Sequence, residues 1–153
     1  MKILLALAAL LMPVSAIAAD AVSLSSEVFV ERVKREADGS TKIVREAPSV
    51  VTPGDKLVFV LSYRNGASQP ASGFVVTNPI PNSVAFAGGE SPGAVVSVDG
   101  GKSWGALAAL KIANADGTSR AASADDVTHI RWSFSQPIAA GSAGQLSFRG
   151  VVK

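Results

Sequence analysis

Large apolar side chains recur at every second position along two segments of this chain, residues 57–64 and 128–134. The first segment has Leu57, Phe59, Leu61 and Tyr63 on this face, and the second has Ile130, Trp132 and Phe134 after Thr128. Successive side chains of a strand point to opposite faces, so a period of two predicts a strand with one buried face. We therefore expect two strands whose apolar faces meet in a common core.

Turn signals separate these segments from further strand-like runs. Val22–Arg35 and residues 42–46 flank Asp38-Gly39, a dipeptide typical of tight hairpins. Short strands with turns every 8–12 residues, roughly, are typical of an antiparallel β-sandwich. We predict an all-β fold, a single antiparallel β-sandwich of about seven to nine strands. The Ala-rich residues 105–126 fit a short helix or a strand equally well.

The first twenty residues, MKILLALAALLMPVSAIAAD, have the composition of a secretory signal peptide. Lys2 is followed by an uncharged apolar run, and small residues precede Asp20. The apolar run is about half of the roughly 20 residues that a membrane span needs. We predict a signal peptide over 1–19, cleaved after Ala18 or Ala19, and a domain over 20–153. The mature protein would then be periplasmic or secreted, with no stable membrane span.

Charge and cysteine content narrow the classes of partner and chemistry. Without Lys2 the chain has 13 Lys and Arg, one fewer than the full chain's 14, against 12 Asp and Glu. A net charge near +1 with no basic cluster argues against nucleic acid as a partner. The sequence contains no cysteine, which excludes a disulfide, a thiol nucleophile and a thiolate metal site. The core alone must therefore stabilise the domain.

The stretch PGDKLVFVLSYRNGASQPASGFVVTNPIPNSVAF, residues 53–86, resembles one unit of the bacterial conserved-repeat domain of unknown function eleven. The matching elements are the Gly54-Asp55 turn, an alternating strand, Asn65-Gly66, a second strand and Asn78-Pro79-Ile80-Pro81. The resemblance implies an immunoglobulin-like β-sandwich of exported and cell-surface proteins. It implies no catalytic residues, because that family has no established chemistry.

Residues 97–104, SVDGGKSW, resemble the Asp-box of sialidases and related β-propellers. In that motif the aspartate accepts backbone N–H groups, a glycine takes positive φ and the tryptophan packs beneath the turn. Propeller enzymes carry several copies, one per blade, and this chain carries one. We interpret the motif as a structural turn, and name Asp99 and Trp104 as candidate ligand contacts.

The other residues that could act in catalysis, metal binding or sugar binding fit structural roles better. His129 is the sole histidine and falls on the polar face of its strand. Asp116, Asp125 and Asp126 lack the dense spacing of a calcium loop. Tyr63 and Trp132 lie on apolar faces, where core packing is favoured over a sugar-stacking platform. We therefore predict no catalytic residues, no metal and no cofactor.

These observations favour an exported, non-enzymatic β-sandwich with a structural or protein-interaction role in the bacterial cell envelope. The partner would be another envelope or surface protein, which an edge strand such as Val22–Arg35 could bind by adding a strand to the sheet. The alternative is a small carbohydrate-binding module, with a glycan as its ligand.

Overall fold

Ten β-strands and two short 3₁₀ turns form the part of the chain described by the computed structural model, residues 21–153. The predicted signal peptide lies outside the described residues. The strands are β1 (Val22–Arg35), β2 (Thr41–Glu46), β3 (Lys56–Asn65), β4 (Val75–Pro79), β5 (Val84–Phe86), β6 (Ala94–Ser97), β7 (Lys111–Ala113), β8 (Ser119–Ala121), β9 (His129–Ser133) and β10 (Ala143–Val152). Among residues 21–153, no helix is long and apolar enough to cross a bilayer.

The strands form two main antiparallel sheets and a small ribbon. The five-stranded sheet has the order β2-β1-β3-β10-β5, and the three-stranded sheet has the order β4-β9-β6. β7 and β8 form a separate two-stranded ribbon. The prediction of an all-β antiparallel sandwich is confirmed, with ten strands in place of seven to nine.

The additional strands come from residues 105–126, whose conformation the pattern left open. This segment forms a 3₁₀ turn at Leu107–Ala109, the β7–β8 ribbon and a second 3₁₀ turn at Ala124–Asp126. Each strand of the ribbon is three residues long. Three residues are too few to show an alternating pattern. These two strands are also stabilised mainly by pairing with each other and not by a buried face.

The core lies between the two main sheets and is built around Phe148. Its ring stacks on Phe59 of the neighbouring strand at 4.5 Å between centroids. It also contacts Trp132 of the opposite sheet at 6.3 Å. Phe148 and Ile130 are fully buried, and Trp132 is 2% exposed. The predicted inward faces of β3 and β9 are thus confirmed, and side chains alone fill the space between the sheets.

Asn65 explains the Asn-Gly element that follows β3. Its side chain is fully buried and donates from Nδ2 to the carbonyl oxygens of Gln69 and Ile138, both at 2.9 Å. Its Oδ1 accepts the amide of Ala67 at 3.0 Å. The residue therefore connects the loop after β3 to the loop before β10.

The Gly54-Asp55 turn that precedes β3 is fixed by an ion pair. Asp55 accepts hydrogen bonds from the guanidinium of Arg32, one of them at 3.1 Å, and from the amide of Thr52 at 2.9 Å. The Arg32 contact, and after it the Thr52 amide, hold the pKa of Asp55 below its ordinary value. The turn is thereby attached to the charged half of β1.

Candidate functional site

The loop after β6 has the turn geometry predicted from its motif. Asp99 Oδ1 accepts the amides of Lys102 and Ser103 at 3.0 and 2.9 Å, and Oδ2 accepts the Ser103 hydroxyl at 2.6 Å. The Ser97 hydroxyl donates to Oδ1 at 2.7 Å. Gly101 has a φ of 89°, which favours glycine. These contacts, the Ser103 hydroxyl first, hold the pKa of Asp99 far below its ordinary value.

Trp104 lies on the outer face of the three-stranded sheet. The guanidinium carbon of Arg131 is 3.7 Å from the indole centroid, a cation–π contact. The ring of His129 meets the indole edge-on at 6.3 Å, and the indole N–H donates to the Gly101 carbonyl at 2.9 Å. The fold thus brings Trp104 and His129, which the sequence singled out, together with Arg131 beside the Asp99 loop.

This arrangement leaves the two candidate ligand contacts engaged within the protein. Both carboxylate oxygens of Asp99 accept hydrogen bonds from its own loop. One face of Trp104 is covered by Arg131, and its N–H already has an acceptor. A sugar could stack only on the opposite face of the indole. In this geometry Asp99 and Trp104 stabilise the conformation of a surface loop.

Two of the acidic residues considered as calcium ligands, Asp116 and Asp126, also have internal partners. Asp126 accepts two hydrogen bonds from the Arg120 guanidinium, at 2.7 and 2.6 Å, and caps its own 3₁₀ turn through Ser123. Asp116 accepts the amide and hydroxyl of Thr118 at 2.9 and 2.6 Å. Within residues 21–153, no three His, Cys, Asp or Glu side chains converge as a metal site would require.

The edges of the two sheets differ in how open they are to another strand. Pro79, the last residue of β4, has no N–H to offer at the outer edge of that strand, and Gly105 exchanges two backbone hydrogen bonds with Val96 on the outer edge of β6. β5 is three residues long. The outer strand β2 carries Lys42, Arg45 and Glu46 along its six residues. Proline, shortness and charge are the usual means by which proteins protect sheet edges.

The first half of β1 has little of this protection. β1 pairs with β3 over Val22 to Glu31, but with β2 only from Val30 to Arg35. The second edge of β1 is therefore unpaired over residues 22–28, within the part of the chain described. This segment, VSLSSEV, contains one charge and no proline. We call it the open edge.

The direction of the backbone groups follows from the ladder with β3. The carbonyl of Ala21 accepts the amide of Gly66, so residue 21 points toward β3. Because this direction alternates along an antiparallel strand, Val22, Leu24 and Ser26 direct both N–H and C=O away from β3. These groups have no hydrogen-bond partner among residues 21–153. Leu24 is also 47% exposed.

The sequence-based prediction that Val22–Arg35 is an edge strand is correct for one half and wrong for the other. Val30–Arg35 is paired by β2, and its charges are used in ion pairs such as Lys34–Glu46 and Arg32–Asp55. The signal that separates the halves is the clustering of charge after residue 30. That clustering is visible in the sequence, whereas the residue at which β2 stops pairing with β1 is not.

Two antiparallel sheets packed around one core place this chain in the class of all-β sandwich proteins. A comparison with protein-family models, with curated proteins and with solved structures finds no match. The resemblance of residues 53–86 to the conserved-repeat domain therefore stays a prediction.

Proposed function

We propose that this chain is an exported, non-enzymatic β-sandwich module that binds another protein of the bacterial cell envelope by accepting a strand along β1. The single observation that carries the proposal is the open edge, where Val22, Leu24 and Ser26 direct unpaired backbone groups outward. Added strands gain affinity from backbone hydrogen bonds and specificity from alternate side chains.

The side chains along the open edge suit this role. Leu24 and Val28 lie on the inner face with the core residues of β3, whereas Ser23, Ser25 and Glu27 lie on the outer face. An incoming strand with alternating apolar and polar residues would extend both faces at once. The leader-like N-terminus and the resemblance to an exported domain family support the envelope as the compartment.

A photocrosslinking experiment in cells tests the proposal. A photoreactive residue replaces Ser25, beside the open edge, and in a control chain it replaces Lys102, in the Asp99 loop. We expect a crosslinked product from position 25 that disappears with Ser26→Pro and persists with Ser26→Ala. The Ser26 amide faces outward, so proline removes that donor without breaking the ladder with β3.

The rival function is a small carbohydrate-binding module, for which the observation is the position of Trp104 on a sheet face beside the Asp99 loop. It predicts binding in a glycan array that is lost with Trp104→Ala and is indifferent to Ser26→Pro. That result, together with no Ser26-dependent crosslink from position 25, would replace strand addition with glycan binding as the function.

A further inference from the structure

We infer that the strand accepted by the open edge is the open edge of a second copy of this chain, so that two β1 strands pair antiparallel about a two-fold axis. This inference rests on the proposed function and names its partner. A two-fold interface requires a surface that is complementary to itself. The open edge meets this requirement in backbone direction, side-chain pattern and charge.

A register centred on Ser25 satisfies the backbone of both copies. When Ser25 of one copy faces Ser25 of the other, Leu24 of each faces Ser26 of the other. Leu24 and Ser26 are the residues whose N–H and C=O groups point outward, so each facing pair can exchange both of its hydrogen bonds. The paired segment stops short of residue 30, where β2 occupies the same edge.

Charge favours this register over its neighbours. Here Glu27 of the second copy faces Ser23, and Ser23 lies opposite Arg64 on β3. Strands are about 4.8 Å apart, so Glu27 and Arg64 would be separated by roughly 10 Å at their Cα atoms, with only a serine between them. Neither Glu27 nor Arg64 forms a salt bridge within residues 21–153.

The outer surface beside the open edge has room for this contact. A shallow depression of about 350 Å³ is lined by Ser23, Ser25, Ser62, Arg64 and Gln145. Arg64 is exposed, and only the small side chain of Ser23 lies between it and the edge. The glutamate of the second copy would enter this depression and meet the arginine. A register centred on Ser26 would instead bring the two Glu27 side chains diagonal to each other, where like charges repel.

The interface is small, so the dimer should be weak. Interfaces below roughly 1,200 Å² are typical of transient association, and we expect a dissociation constant of about 1–100 μM at low salt. Sedimentation equilibrium of the purified protein over a wide concentration range measures it. Ser26→Pro should raise the constant at least about tenfold, and Ser26→Ala should leave it within about threefold.

A charge swap tests the register, and recovery of affinity in the double variant would show that the single variants had lost a contact and not their fold. Glu27→Arg should weaken the dimer, Arg64→Glu should weaken it similarly, and the double variant should recover most of the affinity because the pair is restored with reversed sign. A protein that stays monomeric at about 0.5 mM, roughly fivefold above the weakest dissociation constant expected, would overturn the inference. So would a dimer that ignores Ser26→Pro, or one whose double variant is no better than either single variant.

The crosslinking experiment separates this inference from the proposed function. A Ser26-dependent product from position 25 at twice the mass of the chain supports the second copy as partner. A Ser26-dependent product of another mass overturns the homodimer and leaves strand addition intact. Absence of any Ser26-dependent product contradicts both.

Discussion

Truncating Trp132 to alanine should lower the free energy of unfolding by about 3–5 kcal/mol, the usual cost of removing a large aromatic side chain from a core. Trp132 is 2% exposed, contacts Phe148 across the two sheets and donates its indole N–H to the Ser91 carbonyl at 3.0 Å. The chain has no cysteine, so no disulfide offsets the resulting cavity. Urea denaturation of the purified domain measures the loss.

Ser133→Ala is the matched control for this truncation. Ser133 is the next residue of β9, lies on the opposite face and is exposed. Its replacement should change the free energy of unfolding by no more than about 0.5 kcal/mol. Equal losses from Trp132→Ala and Ser133→Ala would contradict the assigned register of β9 and the position of the core.

Asn65→Ala should be the second most damaging of these changes, at about 2–4 kcal/mol. The substitution removes three hydrogen bonds from a fully buried site and leaves the Gln69 carbonyl and the Ala67 amide without those partners. The bond to Ile138 is buried and the other two are partly buried, and each lost hydrogen bond costs about 0.5–1.5 kcal/mol. Asn82→Ala, in an exposed loop, is the control, and a loss below about 1 kcal/mol at Asn65 would contradict the role assigned to it.

Asn65→Asp gives this prediction a pH dependence. The carboxylate would keep an acceptor for the Ala67 amide but would place an oxygen against the carbonyls of Gln69 and Ile138. The folded state therefore favours the protonated acid and raises its pKa above the unfolded value of about 3.9. The deficit relative to the native protein should be smallest below pH 3.9, approximately, and should grow as pH rises above it. A deficit that is constant with pH would contradict the assigned donor.

The sequence predicts those parts of the fold in which one strand carries its own pattern. The alternation of residues 57–64 and 128–134 identified the inward faces of β3 and β9, and Asp38-Gly39 identified the β1–β2 hairpin. The β7–β8 ribbon was not predictable in this way, because three-residue strands are stabilised by each other. Asn65 appeared only as a turn residue, because its acceptor Ile138 is 73 positions away.

The candidate sites also differ in whether residues close together in the sequence form them. The Asp99 turn could be predicted from its motif because every contact of the carboxylate lies within four residues. The covering of Trp104 by Arg131 could not, since it requires β9 to lie beside β6. The open edge depends on where β2 ends relative to β1, which is a property of the pairing between two strands.

Amide hydrogen exchange along β1, residue by residue, tests the open edge most directly. In dilute solution the amides of Leu24 and Ser26 should exchange at least about a hundredfold faster than those of Ser25 and Glu27, because only the latter pair points toward β3. Raising the protein concentration into the range where copies associate should slow Leu24 and Ser26 selectively. Equal protection of all four amides in the dilute protein would contradict the unpaired edge and, with it, the proposed function.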